Sequence, residues 1–191
     1  MATRRVKLYS LNPKEYPDIE MDFEVIEDIV KSIDDVASPE IVKAKKVAVV
    51  QARRAKAGEV VDTRPRAIVD GKVYVFTETT QKITPEKAEK GAIIVTNPDG
   101  EEYVIASLEK FNAKYEKCDG GFRAIDGVKK FRECEEDCII STSWGEEQVI
   151  PEGSMFCVEW ENDIYGVTNA AFESTYSTDT KIIEPQDETT Y

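Results

Sequence analysis

The sequence predicts an α+β fold that is mainly β: two small antiparallel β modules, each closed by a short helix, preceded by an N-terminal arm and an amphipathic helix. Three observations predict it. Short apolar runs end at turn-forming residues, Asp70-Gly71 and Asn97-Pro98-Asp99-Gly100, and such runs read as hairpins. One early segment places its apolar residues at helical spacing. The order of landmarks in residues 91–115 returns in residues 153–176.

The elements follow in order. Residues 4–10 alternate apolar and polar, which suits a short strand or an extended arm. Pro13 and Pro17 then break the chain. Ile19, Phe23, Ile26, Val30 and Ile33 recur at steps of four and three, so the spacing predicts an amphipathic helix over 18–37. Pro17 and Asp18 start it, Ser38-Pro39 ends it, and its outer face is acidic. Residues 46–52 read as a strand and the charged stretch 53–66 as a loop. Two hairpins follow, around Asp70-Gly71 and around 97–100, and Ser107 is placed to cap a short helix reaching Tyr115. The expected division is 1–40 for arm and helix, 41–118 and 119–178 for the modules, and 179–191 for an acidic tail. Val47, Val49, Ile94, Val104, Phe111, Ile139, Phe156, Val158 and Phe172 form the expected core, with Trp160 half exposed at a strand end.

The repeat rests on order and spacing together. Gly91 leads an apolar strand, a turn, Tyr103 and then Phe111-x3-Tyr115; Gly153 leads the same series through Tyr165 to Phe172-x3-Tyr176. Each block is preceded by a Lys-Lys pair, Lys45-Lys46 or Lys129-Lys130. Phe and Tyr four apart share one helix face, over the sheet. The runs Lys90-Gly91-Ala92-Ile93-Ile94-Val95, Asp99 to Tyr103 and Phe111 to Glu116 resemble the small PGDYG-type domains of phage and prophage genomes. Pro151-Glu152-Gly153 and Phe172 to Tyr176 are similar to the same pattern. Both blocks lack the family's aspartate after the glycine, having Ala92 and Ser154. The resemblance implies a phage setting and carries no catalytic residue.

Charge and composition narrow the function. The chain has 25 basic and 38 acidic residues in 191, and the last third holds the whole net charge of −13. Nucleic acid is not an expected partner: the basic positions from Lys43 to Arg66 read as a solvated strand edge and loop. The chain has no histidine, which excludes histidine triads and histidine-ligated metals. Cys118, Cys134, Cys138 and Cys157 contain a single short-spaced pair where a zinc ribbon needs two, so reduced thiols are expected. No phosphate loop, metalloprotease or dinucleotide fingerprint is present. No catalytic residue, metal or cofactor is therefore assigned. The basic start has no apolar run behind it and no stretch reaches the roughly 20 apolar residues of a membrane span. The expected location is the host cytoplasm at synthesis, with the virion as a second location.

With the phage setting that the resemblance implies, these features favour a non-enzymatic structural or assembly protein of a phage particle, such as a decoration or neck component. The alternative is a phage anti-defence inhibitor whose acidic surface mimics DNA or blocks a host effector. Either acts through protein partners, other virion proteins or a host protein, and oligomers fit the first. The expected contact residues are Arg4, Arg5, Leu8 and Tyr9 on the arm, Phe23, Ile26, Val30 and Ile33 on the helix stripe, and Glu146, Glu147, Glu161 and Asp163 on the acidic side.

Overall fold

A computed structural model describes residues 2–179. The acidic tail expected over 179–191 lies, apart from Asp179, outside the described residues. Strands β1 (Thr3–Ser10) and β2 (Ile19–Ile26) form a hairpin, followed by helix α1 (Ile29–Val36). Strands β3 (Val42–Lys46), β4 (Gln51–Arg54) and β5 (Val60–Val61) come next, then the hairpin β6 (Arg66–Val69) and β7 (Lys72–Val75), strand β8 (Gln81–Lys82) and helix α2 (Pro85–Glu89). The chain continues through β9 (Ile93–Thr96), β10 (Glu102–Ile105), α3 (Leu108–Lys114), β11 (Tyr115–Cys118) and β12 (Gly121–Ala124). It ends through β13 (Lys129–Glu133), the hairpin β14 (Cys138–Ser141) and β15 (Glu147–Ile150), β16 (Met155–Trp160), β17 (Asp163–Val167), α4 (Asn169–Thr175) and β18 (Tyr176–Ser177). The fold is α+β and mainly β, as the hairpin signals predict.

The helix expected over 18–37 is a strand and a shorter helix. Residues 19–26 read Ile-Glu-Met-Asp-Phe-Glu-Val-Ile, a strict two-residue alternation until the last position. Ile19, Phe23 and Ile26 also fit steps of four and three, so these positions satisfy both periods. The facing strand decides between them. β1 places Val6 opposite Met21 and Leu8 opposite Ile19, while Arg5 lies opposite Asp22 and Lys7 opposite Glu20. Cross-strand pairs of matched character hold a sheet. Asp28 then caps α1, accepting from the Val30 and Lys31 amides, and Ile29, Ile33 and Val36 face the core.

The expected arm is likewise an interior strand. The sheet order is β15-β14-β2-β1-β7-β6, with β14 parallel to β2 and the other pairs antiparallel. One face of this sheet buries Leu8, Phe23, Tyr74 and Ile139. Arg4 on β1 reaches Glu147 on β15 across two intervening strands, so the sheet is curled around that face. The other face, through Ile26, Ile140 and Ile150, packs on α1 and Phe156.

Two further arrays and a two-stranded β5–β8 ribbon complete the described residues. The first runs β10-β9-β4; a bridge between Val50 and Phe122 sets β12 beside β4, and β12 pairs with β11. The second runs β17-β16-β13-β3-β18. The boundary expected at residue 118 is therefore crossed twice: β3 pairs in the later array and β12 in the earlier one. Ladder partners far apart in sequence leave no local mark, which is why the sequence does not show these crossings. The two Lys-Lys pairs also lie in the same array, with Lys129 opposite Ala44 and Lys130 opposite Lys43.

The strand expected at 46–52 is interrupted where the chain passes from one array to the other. The Val47 and Ala48 amides donate to the Thr175 carbonyl, and the Val50 amide to Phe122. Val47 is half-buried and Val49 is 41% exposed, so neither belongs to the core. Ile94, Phe111, Ile139 and Phe156 are buried; Val104, Val158 and Phe172 are half-buried; Trp160 is 49% exposed. Both expected hairpins form. Asp70 and Gly71 have positive φ, 50° and 74°, the conformation a tight two-residue hairpin turn requires. Ser107 caps α3 through the Lys110 amide.

Amide side chains tie both edges of the six-stranded sheet. Gln148 on β15 accepts from the Gly166 amide at 2.7 Å and donates to its carbonyl at 3.3 Å. Asn169 at the start of α4 accepts from the Ile68 amide and donates to its carbonyl, each at 2.7 Å. Each side chain thus supplies one rung of a ladder where no strand is available. Gly166 also makes room for Ile150, whose Cδ1 lies 2.1 Å from where a Cβ would sit.

Candidate functional site

The expected contact residues separate into three groups. Leu8, Phe23, Ile26 and Ile33 are buried and hold the core together, so they form no partner surface. Arg4 and Arg5 are exposed and paired within the sheet, Arg4 with Glu147 and Arg5 with Asp22 at 3.2 Å. Tyr9 is half-buried, its ring 5.0 Å from the Lys7 ammonium, and Val30 is 37% exposed.

The acidic group comes together. Glu146 and Glu147 end the β14–β15 turn, while Glu161 and Asp163 flank the β16–β17 turn. The turns touch, Ser143 Oγ donating to the Asp163 carboxylate at 2.6 Å. Trp144 lies in the first turn and Trp160 ends the strand that leads into the second. Trp144 is 55% exposed and donates from Nε1 to Glu146 at 2.8 Å; Trp160 lies under the Lys129 ammonium, 5.4 Å from its ring centroid. Sequence reasoning missed Trp144. Its signal is a large aromatic beside Gly145 in a turn, where no core is available to bury it.

A cavity of about 420 Å³ opens beside Trp144, whose ring centroid is 6.1 Å from that of Tyr165 on its wall. Both arrays line it. Tyr103 and Tyr115 come from the first, Tyr165, Tyr176 and Lys46 from the second, and Glu101 from the β9–β10 turn. The sheets place these residues firmly: Tyr115 stacks on Phe111 and Tyr176 on Phe172, with ring centroids 5.2 and 5.0 Å apart.

Burial dominates the electrostatics there. It lowers the Lys46 ammonium below its ordinary value, and Lys129 and Lys114 add to the shift against Asp126. It raises the Glu101 carboxyl to about 7, helped by Asp99 and opposed by Arg66 and Lys46. It raises Tyr115 to about 12, with Asp126 adding to the shift, and lifts Tyr165 and Tyr176 above the ordinary phenol range. Lys46 lies over the Tyr176 ring, 5.8 Å from its centroid, and makes no ion pair among the described residues. Glu101 makes none either.

The sequence contained a trace of this cavity. Tyr103, Tyr115, Tyr165 and Tyr176 are landmarks of the repeat, and their regular recurrence reads equally well as core spacing. Among the described residues no group of three or more Cys, Asp or Glu side chains is placed to hold a metal ion, and no helix is long and apolar enough to cross a membrane. No protein-family model, curated protein or solved structure matches the chain.

Proposed function

We propose that this chain is a non-enzymatic assembly protein of a phage-type particle, built from two interlocked copies of one β module and acting through its paired acidic turns. The observation that carries the functional reading is the pair of exposed tryptophans at touching turns among Glu146, Glu147, Glu161 and Asp163. Exposed tryptophan is a typical anchor of protein interfaces. A rim of carboxylates selects a basic partner surface and speeds encounter.

The two-copy reading rests on register. Ile93, Val95 and Tyr103 hold the ladder positions in the first array that Met155, Cys157 and Tyr165 hold in the second. Tyr115 pairs with Ala124 as Tyr176 pairs with Lys46. Gly91 and Gly153 both have positive φ ahead of corresponding strands. Each aromatic cluster has a third ring against its phenylalanine. Phe122 on β12 meets Phe111, and Phe131 on β13 meets Phe172. On this correspondence β12 matches β3 and β13 matches β4, where the residues are Ala44 and Ala52. Each copy therefore keeps one large and one small residue at the same two places, which conserves core volume. Each copy also lends its first strand to the other.

Mass spectrometry of purified particles from the encoding phage tests the reading. The expected result is the chain at a fixed ratio to the capsid protein. Abundance in infected cells with absence from particles, together with a host nuclease or other defence protein on the purified chain, would overturn it in favour of the inhibitor.

A further inference from the structure

We propose that the cavity between the two arrays is a binding site for a small zwitterion, a free amino acid in chemical class, with its carboxylate on Lys46 and its ammonium on Glu101. This inference goes beyond the assembly role and does not depend on it.

The charges on the wall point to the ligand. Lys46 and Glu101 face the same cavity and carry opposite charge above about pH 7, where the Glu101 carboxyl ionises, yet they form no ion pair with each other or with any other described residue. Most of their charged neighbours are engaged, although Arg66 Nε and Asp99 Oδ2 are buried without a hydrogen-bond partner. Arg66 donates to Asp62 at 2.8 Å and to the Arg64 carbonyl at 2.6 Å. Lys129 pairs with Asp126 at 3.4 Å, and Glu146 accepts from Trp144. Two opposite charges in one partly dehydrated cavity are each costly alone, and a ligand carrying both complements satisfies them together. A simple anion leaves Glu101 without a partner, and a simple amine leaves Lys46 without one. Val50, Val167 and Ala171 provide an apolar wall for a side chain. The volume lies within the ordinary range for small-molecule sites. The tyrosines set its width, since their stacking on Phe111 and Phe172 holds the rings in place.

Calorimetric titration of the full chain with each common amino acid at millimolar concentration tests the inference. At least one amino acid is expected to bind. Its N-acetyl derivative, which lacks the ammonium, and its carboxamide, which lacks the carboxylate, should each bind at least about tenfold more weakly. Glu101→Gln should abolish the preference for the free amine, and Lys46→Met the preference for the free carboxylate. The derivative comparison on the unaltered chain stands if either variant fails to fold. Absence of binding by every amino acid would overturn the proposal. So would derivatives that bind as tightly as their parent, or loss on removing only one of the two charges.

Discussion

Glu101 and Asp62 make the folded protein respond to pH in opposite directions. The folded Glu101 carboxyl keeps its proton up to about 7, whereas its ordinary value is 4.5. Between those values the folded chain binds more protons than the unfolded one, so stability falls as pH rises from about 4.5 to about 7 and is level above. Glu101→Gln should remove this slope and leave the variant more stable at pH 7, by up to about 3 kcal/mol. Thermal unfolding at pH 5 and pH 7 checks it, and an unchanged slope in the variant would refute the assignment. Asp62 behaves the other way. Arg64 and Arg66 hold its carboxyl far below the usual carboxylate range, so its stabilisation is complete above the unfolded value and is lost as pH falls. The thiols give a second test at this scale. Cys134, Cys138 and Cys157 are fully buried and Cys118 is half-buried. A thiol reagent should titrate one cysteine in the native protein and all four after unfolding.

At the scale of elements, the amide bridges and the close glycines carry specific costs. Gln148→Ala removes two hydrogen bonds and Asn169→Ala four, leaving the backbone groups of Gly166 or Ile68 without a side-chain partner. Each should destabilise by about 1–3 kcal/mol in denaturant unfolding. Gly166→Ala should destabilise as well, because the new methyl would meet Ile150 and overpack the interior. Phe111→Ala should cost about 3–5 kcal/mol, since the ring is buried between Tyr115 and Phe122. Elements set by local chemistry were legible in the sequence: the turns at Asp70-Gly71 and 97–100, the Ser107 cap and the Phe-Tyr steps. Residues 19–26 misled because their apolar positions fit two periods, and only β1 distinguishes them. The handover at Val47–Val50 was illegible, since an apolar run does not say which sheet receives it. The four acidic site residues were legible as charge and not as a cluster. Lys46 was legible only as half of a Lys-Lys landmark and Glu101 only as part of a turn, and neither as a cavity residue.

The whole molecule depends on its first residues. β1 and β2 occupy the middle of the six-stranded sheet and join the β14–β15 hairpin to the β6–β7 hairpin. A chain beginning at Pro39 should therefore lose its cooperative unfolding transition as well as any arm function. Circular dichroism on heating checks this, and a sharp transition in the truncated chain would refute it. Charge acts at the same scale. Exposed carboxylates are screened beyond about 8 Å at physiological ionic strength. Binding of a basic partner at the acidic turns should thus weaken with salt, while Trp144→Ala should reduce it at every salt concentration. Salt-independent binding would exclude the carboxylates from that contact.

The passage of β3 into the later array fixes when this protein is able to finish folding on the ribosome. Ala44 pairs with Lys129 and Lys46 with Tyr176, which are 85 and 130 positions further along the chain. At translation rates of about 5–20 residues per second, β3 waits on the order of ten seconds for its partners. During that time both its edges are open to other nascent chains. Slower synthesis lengthens the exposure, and neighbouring ribosomes on one message carry the same unpaired strand. Yield of soluble protein should therefore depend on translation speed and on chaperone supply more than on the stability of the finished fold.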